Sequence, residues 1–473
     1  MNTIKNTRRI SEYIAIVIRS LKGEELDYTK IGITTGVIML AIPMMLEMMM
    51  ESVFALVDLY FVGHLKESSF AIQTVGLTES VLTIMYSIAI GMSMAATAVV
   101  SRRIGEKNRE KAANSGAQAI LAASVLTILL SITGVIYAKD ILLLMGASEE
   151  SAAYGTNFTR IMMGSSISIM LLFLINGVFR GAGNAAIAMK SLWVANICNI
   201  ILCPILIKGW LGLPALGLTG AAIATAAGRT IGVLYQLYHL FYGKGVIKIK
   251  LKHFVPDMPI IKGLIKIATP GVFQFVIASC SWIVLARLVA ITGGDEGSAG
   301  YQTALRLMMF FMLPAWGLSN AASTLVGQNL GAGKPDRAEA SVMKTVWFNV
   351  IYMVIVSLVF FMMAGVLVSF FTETESVSRV ARIAMYIMAA GFIFYGVGMV
   401  MLNAFNGSGD TRTPTWINFF GFWLLQIPLA YLLAQKLDLG ERGVFIAIPV
   451  SEAAITIASY IIFKRGRWKL IKV

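Results

Sequence analysis

Long stretches without a charged side chain are the feature that most limits how this 473-residue chain can fold. A helix of about 20 apolar residues crosses the hydrocarbon core of a bilayer, and each of these stretches reaches that length. They are Ser80–Ser101, Ala112–Ala138, Leu307–Gly333, Thr345–Thr372 and Ile383–Gly409. Charged residues make up 14% of the chain, whereas a soluble protein uses about 25% to cover its surface. The sequence therefore predicts an all-α integral membrane protein.

The formal net charge of +14 comes from basic residues that cluster between the apolar stretches. Cytoplasmic loops of membrane proteins carry an excess of Lys and Arg, so the pattern indicates orientation and not a nucleic-acid partner. The basic segments are the N-terminal region, Ser101–Lys111, Lys244–Lys266 and residues 464–473, and the alternating loops hold little, such as Lys66, Lys139 and Lys208. We expect a multi-pass protein of the cell (inner) membrane with both termini in the cytoplasm.

Hydropathy and charge together divide the chain into about twelve transmembrane helices and their connections. Residues 1–30 show no clean apolar core with a cleavage site, so we predict a cytoplasmic segment that forms an interfacial helix and not a signal peptide. The other predicted divisions are an N-lobe of six helices over 31–242, a basic cytoplasmic linker over 243–262, a C-lobe of six helices over 263–463 and a basic cytoplasmic tail over 464–473.

An internal repeat relates the two predicted lobes. The segment Phe179–Asn184 recurs as Phe405–Asp410. Pairs at the same spacing, or one residue beyond it, are Gly105 with Gly331, Ala112 with Ala338, Gly217 with Gly443, and Pro43 with Pro270. Each copy holds six helices, so both copies begin on the same side of the membrane. That is a parallel repeat with pseudo-twofold symmetry about the membrane normal, and we expect the substrate route between the lobes.

Three carboxylates lie on one stripe of the otherwise apolar first helix. At about 100° per residue, Glu47 and Glu51 are separated by about 40° and Asp58 falls between them. An ionised acid at the bilayer centre costs at least about 2.5 kcal/mol, so these groups must face a cavity, bind cations or be protonated. We interpret them as a coupling site for H⁺ or Na⁺. The alternative is that single acids pair with an interior base such as Arg229 or Arg306.

The second copy of the repeat lacks these acids. Glu47, Glu51 and Asp58 correspond to Gln274, Ala278 and Leu285. Packing alone gives little reason to keep carboxylates in one half only, so we infer that ion coupling resides in the N-lobe. Two other acids, Glu79 and Glu452, are interpreted either as interfacial residues or as part of the same function.

Pro43 lies one turn before Glu47 inside the first helix. A proline within a helix removes one backbone hydrogen bond and favours a kink. We interpret Pro43 either as a hinge beside the acidic stripe or as a residue that marks the entry of the spanning segment.

These residues resemble the multidrug and toxic compound extrusion (MATE) family over nearly the whole chain. The segments that carry the resemblance are Ile42-Pro43, Val57–His64, Gly76-Leu77, Ser101–Glu106, Arg180–Gly183, Asn196–Asn199 ahead of Pro204, Leu216-Gly217, Gly220–Thr225 and Leu325–Gly333. Each segment alone is a weak signal, and their order and duplication make the resemblance strong. It implies two six-helix lobes that open alternately to either side, and export of organic cations against an inward Na⁺ or H⁺ gradient.

The resemblance also assigns site residues. It matches Asp58 with the helix-1 aspartate of the family and Asn199 and Thr225 with members of its N-lobe cation site, so Na⁺ is expected at these three residues. Cys203 stands where the family has a second acid, and a thiol is a poor ligand for a hard cation. Either Glu51 substitutes for that acid or the coupling ion is H⁺.

Another bacterial branch of the family uses acids in helices 7 and 10, and this chain has none there. Tyr395 falls near the position of the helix-10 acid. We expect Gln274, Tyr395 and Asn403, with methionine-rich walls, to line the substrate cleft. The expected ligands are amphiphilic, cationic small molecules and membrane lipids, with no cofactor beyond the coupling ion, and the protein is expected to be a monomer.

Two other functions compete with efflux. A flippase for a lipid-linked saccharide precursor would need a basic cleft for pyrophosphate, with Arg180, Arg229, Arg287 and Arg306 as candidates. An acidic first helix argues against it. An enzyme is not expected, because the three cysteines and three histidines show neither metal-ligand spacing nor the pattern of a catalytic motif.

Overall fold

The computed structural model describes the backbone of residues 2–63, 65 and 68–473, and the side chains from residue 11 onward except those of 58, 59, 62–64 and 66–69. Throughout this part of the chain the regular structure is helical. Its α-helices are α1 (Asn2–Lys22), α2 (Ile33–Gly63), α3 (Ser68–Gly105), α4 (Arg109–Ile136), α5 (Ala138–Leu144), α6 (Glu149–Gly164), α7 (Ser166–Ala182), α8 (Ala185–Lys208), α9 (Gly217–Tyr242), α10 (Met258–Gly331), α11 (Pro335–Ser369), α12 (Glu375–Ala389), α13 (Phe392–Ser408), α14 (Arg412–Asn418), α15 (Ile427–Tyr431) and α16 (Glu441–Lys464). The prediction of an all-α membrane protein is confirmed.

Twelve crossings follow from these helices. Ten helical segments of the described chain are long and apolar enough to span a membrane, and α12 with α13 forms one further span bent by 55°. The helix α10 holds two spans, because Gly294 has a non-helical backbone (φ 61, ψ −156) at which the chain reverses. Leu285 and Val289 before this glycine therefore pack in one core with Tyr301 and Leu307 after it.

The crossings form two lobes, each with its own apolar core. Helices α2–α9 build the N-lobe, and α3, α4 and α7 meet in its largest core cluster. Helices α10–α16 build the C-lobe around a core of residues from α10, α11, α13 and α16. The first helix of the C-lobe begins at Met258, inside the segment predicted as linker, because Asp257 caps it by accepting a hydrogen bond from the amide of Ile260 at 3.4 Å.

The repeated glycine motif ends one helix and starts the next in both lobes. Gly183 follows α7 with φ 89 and Gly409 follows α13 with φ 91, a left-handed conformation that glycine adopts without strain. The next residue then caps the following helix: Asn184 accepts from the amide of Ile187 at 3.3 Å, and Asp410 accepts from the amide of Thr413 at 3.1 Å. The repeat in the sequence is therefore a repeated helix–turn–helix corner.

The lobes contact each other at the end of the molecule that holds both termini. Gln328 Nε2 donates to the carbonyl oxygen of Gly181 at 3.1 Å, and Arg102 Nη2 donates to that of Ile471 at 2.6 Å. Gly327 and Gly331 of α10 lie so close to Ser101 and Arg102 of α3 that a Cβ atom at either glycine would overlap them. This side of the structure is therefore closed.

Candidate functional site

Glu47 lies in the interior of the N-lobe and pairs with Arg180. Its side chain is 1% exposed. Arg180 Nη1 lies 3.6 Å from Glu47 Oε1, which also accepts a hydrogen bond from Asn176 Nδ2 at 2.8 Å. The other carboxylate oxygen has no hydrogen-bond partner among the described residues. The pair therefore joins α2 to α7 through a charge contact that is shielded from water.

A polar network continues from this pair into α8 and α9. Asn176 Oδ1 accepts hydrogen bonds from Gln236 Nε2 at 2.6 Å and from Ser191 Oγ at 3.0 Å. All three side chains are buried. The network therefore links three helices, α7, α8 and α9, to the carboxylate that α2 carries.

The C-lobe has an uncharged pair at the equivalent place. The repeat aligns Glu47 with Gln274 and Arg180 with Asn406, and these two amides contact each other: Gln274 Nε2 donates to Asn406 Oδ1 at 3.1 Å. Both amides are buried. Because amides satisfy the fold at this position, the charges of the N-lobe pair are not required for packing.

Glu51 forms a second ion pair, one turn away on α2. Arg229 Nη2 and Nη1 lie 2.7 Å and 3.2 Å from its two carboxylate oxygens, a bidentate contact. Asn196 Nδ2 donates to the same carboxylate at 3.1 Å, and the Arg229 guanidinium lies 4.8 Å from the ring centre of Phe54. The sequence analysis left open that single acids of α2 pair with an interior base such as Arg229 or Arg306. In the structure Glu51 pairs with Arg229. Glu47 pairs with Arg180, which that alternative did not name.

The residues expected to form a family-like cation site lie partly together. Asn199 Nδ2 donates to Thr225 Oγ1 at 2.9 Å, and Asn199 Oδ1 is buried without a hydrogen-bond partner among the described residues. Cys203 is buried in an apolar cluster with Leu218 and Ala221. The side chain of Asp58 lies outside the described residues, so its place relative to these groups stays a prediction.

A cavity of 310 Å³ lies where the C-lobe faces α3 of the N-lobe. All described residues that line it are uncharged. They are Met94, Gln274, Phe275, Ala278, Met309, Met312, Leu313, Trp316, Met399, Leu402, Asn403, Asn406 and Asn418. The rings of Phe275 and Trp316 lie 5.7 Å apart, so one wall is aromatic, and the amides supply the polar contacts.

A smaller pocket of 30 Å³ adjoins this cavity and reaches into the N-lobe. The two spaces share the wall formed by Met94, Trp316 and Asn403. Among the described residues that line the small pocket, Arg180 is the charged one, and its Nη2 donates to Ser93 Oγ at 3.2 Å. Arg180 therefore lines a pocket between the lobes while it also pairs with Glu47.

Two of the three residues expected in the substrate cleft, Gln274 and Asn403, line the cavity. The structure places Tyr395 instead in the C-lobe core, where its ring packs edge-on against Phe392 at 6.5 Å. On α13 it lies one helical turn before Met399, a residue of the cavity wall, and it is not among the described residues that line the cavity.

Pro43 lies inside α2, which runs unbroken from Ile33 to Gly63. In the next turn Trp193 Nε1 of α8 donates to the carbonyl oxygen of Leu46 at 3.0 Å. A side-chain donor thus binds the backbone of α2 beside the proline. The role of Pro43 as a hinge stays a prediction.

Sequence reasoning missed the arginine that pairs with Glu47 and the burial of Glu452. The first had a signal, because the repeat replaces Glu47 and Arg180 together by the amides Gln274 and Asn406. The burial of Glu452 had no signal in the sequence. The sequence of a spanning helix does not show whether an acid near its middle packs against a neighbouring helix.

Two six-helix lobes around an internal cavity, with buried charges in one lobe, define a multi-pass membrane transporter. The chain belongs to the MatE family, whose model matches residues 43–205 and again residues 270–432. The two matches fall one in each lobe, and residue 43 of the first corresponds to residue 270 of the second.

Curated relatives are similar over almost their whole length. The probable multidrug resistance protein NorM of Thermotoga maritima is 25% identical over 441 residues, 91% of this chain and 92% of its own. The multidrug export protein MepA of Staphylococcus aureus (strain NCTC 8325 / PS 47) is 23% identical and covers 93% of this chain and 96% of its own.

Solved structures share the fold. An outward-facing conformation of a multidrug resistance MATE family transporter has a TM-score of 0.88 at 24% identity, covering 94% of this chain and 97% of that one. A transporter of the same superfamily from Pyrococcus furiosus, described as having a binding pocket of reverse polarity, also has a TM-score of 0.88, at 23% identity, covering 94% of this chain and 98% of that one.

Proposed function

We propose that this protein is a secondary active antiporter that exports amphiphilic, cationic small molecules in exchange for H⁺ or Na⁺. Export proceeds by alternating access between the two lobes. The observation that carries the proposal is the 310 Å³ cavity at the lobe interface. The names of the relatives, a multidrug resistance protein and a multidrug export protein, are consistent with it.

The chemistry of the cavity wall suits such substrates. Methionine side chains are flexible and polarizable, so they repack around ligands of different shape. The aromatic faces of Phe275 and Trp316 attract an organic cation, and the amides of Gln274 and Asn403 offer hydrogen bonds without a fixed charge. A wall of this kind selects for size and amphiphilic character more than for one molecular structure.

The N-lobe supplies the groups proposed to bind the coupling ion. Asp58, Asn199 and Thr225 would hold Na⁺ through oxygen atoms, and the unpartnered oxygen of Asn199 supports this role. Glu47, buried beside Arg180, would respond to the charge of that ion. Coupling then requires the ion and the substrate to favour opposite-facing states of the lobes.

The membrane topology belongs to the same proposal. The closed side, which holds both termini and most of the basic loops, is proposed to face the cytoplasm of the cell (inner) membrane. In that orientation the described state is sealed toward the cytoplasm.

The alternative function, a flippase for a lipid-linked saccharide precursor, has weaker support. It requires free basic groups at the interface, but Arg180 pairs with Glu47 and Arg229 pairs with Glu51. The cavity itself is uncharged over its described lining. These pairings favour the export of amphiphilic molecules.

The proposal is tested with the purified protein in proteoliposomes, using ethidium as the probe. A Na⁺ gradient and a pH gradient are imposed separately, and ethidium movement is followed by fluorescence. We expect at least one gradient to drive ethidium against its own concentration difference. Absence of gradient-driven movement under both conditions would overturn the proposed function.

Replacement of the predicted first-helix acid provides the residue-level test. We expect Asp58→Asn to abolish gradient-driven ethidium transport and drug resistance in cells while expression stays normal, because the amide cannot exchange charge with the ion. Asp140→Asn, on the short exposed helix α5, is the control and should transport normally. Unchanged efflux by the Asp58 variant would remove this residue from the coupling site.

A further inference from the structure

One buried carboxyl group of the C-lobe has no ion-pair partner among the described residues. Glu452 lies in α16 and is 6% exposed. The two buried acids of the N-lobe each contact an arginine, at 3.6 Å for Glu47 and 2.7 Å for Glu51. No described lysine or arginine forms an ion pair with Glu452. Among the described buried acids, the one without an ion pair is therefore in the lobe to which the sequence analysis assigned no ion coupling.

One buried tyrosine, Tyr395 of α13, lies opposite this carboxyl group. Two close contacts between α13 and α16 flank the pair, Gly391 against Pro449 and Gly398 against Thr456. A second buried tyrosine, Tyr301 of α10, belongs to the same core cluster as Tyr395. Their side chains are 7% and 0% exposed, and neither hydroxyl has a hydrogen-bond partner within bonding geometry among the described residues. Among the described residues of the helices packed against α16, Tyr395 is the titratable group next to Glu452. The nearby amide of Gln426 donates to Ser451 Oγ at 2.9 Å and carries no charge.

This set of groups fits a proton better than a metal cation. An ionised carboxylate without a cation is strongly disfavoured in a low-dielectric interior, so the neutral acid is the stable resting form. A carboxyl group and a neighbouring phenol provide fewer oxygen ligands than a hard cation requires. When the acid does ionise, the hydroxyl of Tyr395 can donate a hydrogen bond to it and lower the cost.

Tyr395 also lies on α13, the helix that supplies Met399, Leu402, Asn403 and Asn406 to the wall of the cavity. On α13 it is one turn before Met399, which lines the cavity with Asn403. A proton can leave Glu452 by passing to the phenol oxygen of Tyr395 while the phenol's own proton passes to water in the cavity. The charge left behind is the carboxylate of Glu452.

We propose that Glu452 is a proton-binding site of the C-lobe and that Tyr395 connects it to the cavity between the lobes. This inference rests on the proposed exchange function and names H⁺ as an ion that the C-lobe carries. Protonation keeps the lobe core neutral, and release of the proton places a negative charge behind the wall where a cationic substrate binds.

The test compares Glu452→Gln with the wild-type protein in proteoliposomes under a pH gradient, with ethidium as the probe. We expect the rate of ethidium transport driven by the pH gradient to fall at least tenfold in Glu452→Gln. The remaining rate should not depend on pH, because glutamine mimics the permanently protonated acid. Glu441→Gln, at the start of the same helix, is the matched control and should keep the wild-type pH profile. In Tyr395→Phe, ethidium transport should still be driven by the pH gradient, but at a lower rate than in the wild type. A Glu452→Gln variant with the wild-type pH response would overturn the inference.

A second measurement separates this inference from the proposed function. Infrared difference spectra of the wild-type protein on raising the pH should show loss of a protonated carboxyl band, and this band should be absent from Glu452→Gln. If the wild type does not move ethidium under any gradient, the proposed function is refuted. The spectra would still show whether Glu452 binds a proton. An unchanged band in the Glu452→Gln spectrum would refute the proton site even if transport were normal.

Discussion

At the residue scale, the same position of the two lobes holds a charged pair in one and a neutral pair in the other. Glu47 and Arg180 occupy the place that Gln274 and Asn406 occupy in the C-lobe. Replacing a buried ion pair as a unit is often tolerated, whereas removing one partner leaves an uncompensated charge. The pair therefore offers a way to separate stability from function.

The double variant Glu47→Gln with Arg180→Asn copies the amide pair that the C-lobe already uses. We expect it to fold with a thermal midpoint close to that of the wild type, and to lose gradient-driven ethidium transport because the N-lobe can no longer respond to charge. Thermal unfolding in detergent and the proteoliposome assay measure the two effects.

The single variant Arg180→Asn is the comparison for stability. It leaves Glu47 buried without a cation, so we expect destabilisation by about 3–5 kcal/mol. A double variant that still couples transport to an ion gradient would show that the charges of this pair have no part in coupling.

At the scale of helices, the closed side depends on glycines where α3 and α10 cross. A Cβ atom on Gly331 would overlap the backbone of Arg102, and one on Gly327 would overlap Ser101. Backbone groups cannot move aside as a flexible side chain can, so added volume must separate the two helices. Since α3 and α10 belong to different lobes, their separation opens the interface.

Gly331→Ala should therefore shift the protein toward the state that is open on the side of the termini. Ser323, buried in the pocket between the lobes, is replaced by cysteine in a background without native cysteines as the reporter. We expect its labelling by a membrane-impermeant maleimide added on that side to increase several-fold. Gly76→Ala is the control, because open space surrounds that position of α3, and equal labelling of both variants would contradict the role of this crossing.

At the scale of the whole molecule, each lobe has a large core cluster, and a further cluster with residues of α2 and α10 joins the two lobes. Rigid-body motion of one lobe against the other is the usual way in which such a repeat changes the side to which it opens. The contacts that close the side of the termini must break in that motion. Groups on the opposite side must then approach each other.

Spin labels at Leu211 and Phe370 test this motion. Both residues are exposed, at the ends of spans on the opposite side, one in each lobe. We expect the distance between them, measured by pulsed electron resonance, to shorten when the side of the termini opens, as in the Gly331→Ala variant. A label pair within the N-lobe, at Leu211 and Leu144, is the control and should keep its distance. Equal changes in both pairs would mean that the N-lobe deforms and does not move as a body.

The sequence by itself determined the membrane class, the helices and the repeat. An uncharged stretch of about 20 residues predicts a membrane-spanning helix whatever surrounds it. A glycine followed by a capping residue predicts the helix–turn–helix corners at Gly183 and Gly409, because the backbone chemistry there is local. The family followed from the same local segments in order.

Only the tertiary structure decided which partner each buried polar group meets. Helical periodicity placed Glu47 and Glu51 on one stripe of α2, but their bases lie on two different helices, α7 and α9, far away in the chain. The periodicity of a helix is local, whereas an ion pair depends on how separate helices pack. For the same reason the sequence left Glu452 open as either an interfacial or a functional acid, and the fold buries it next to Tyr395.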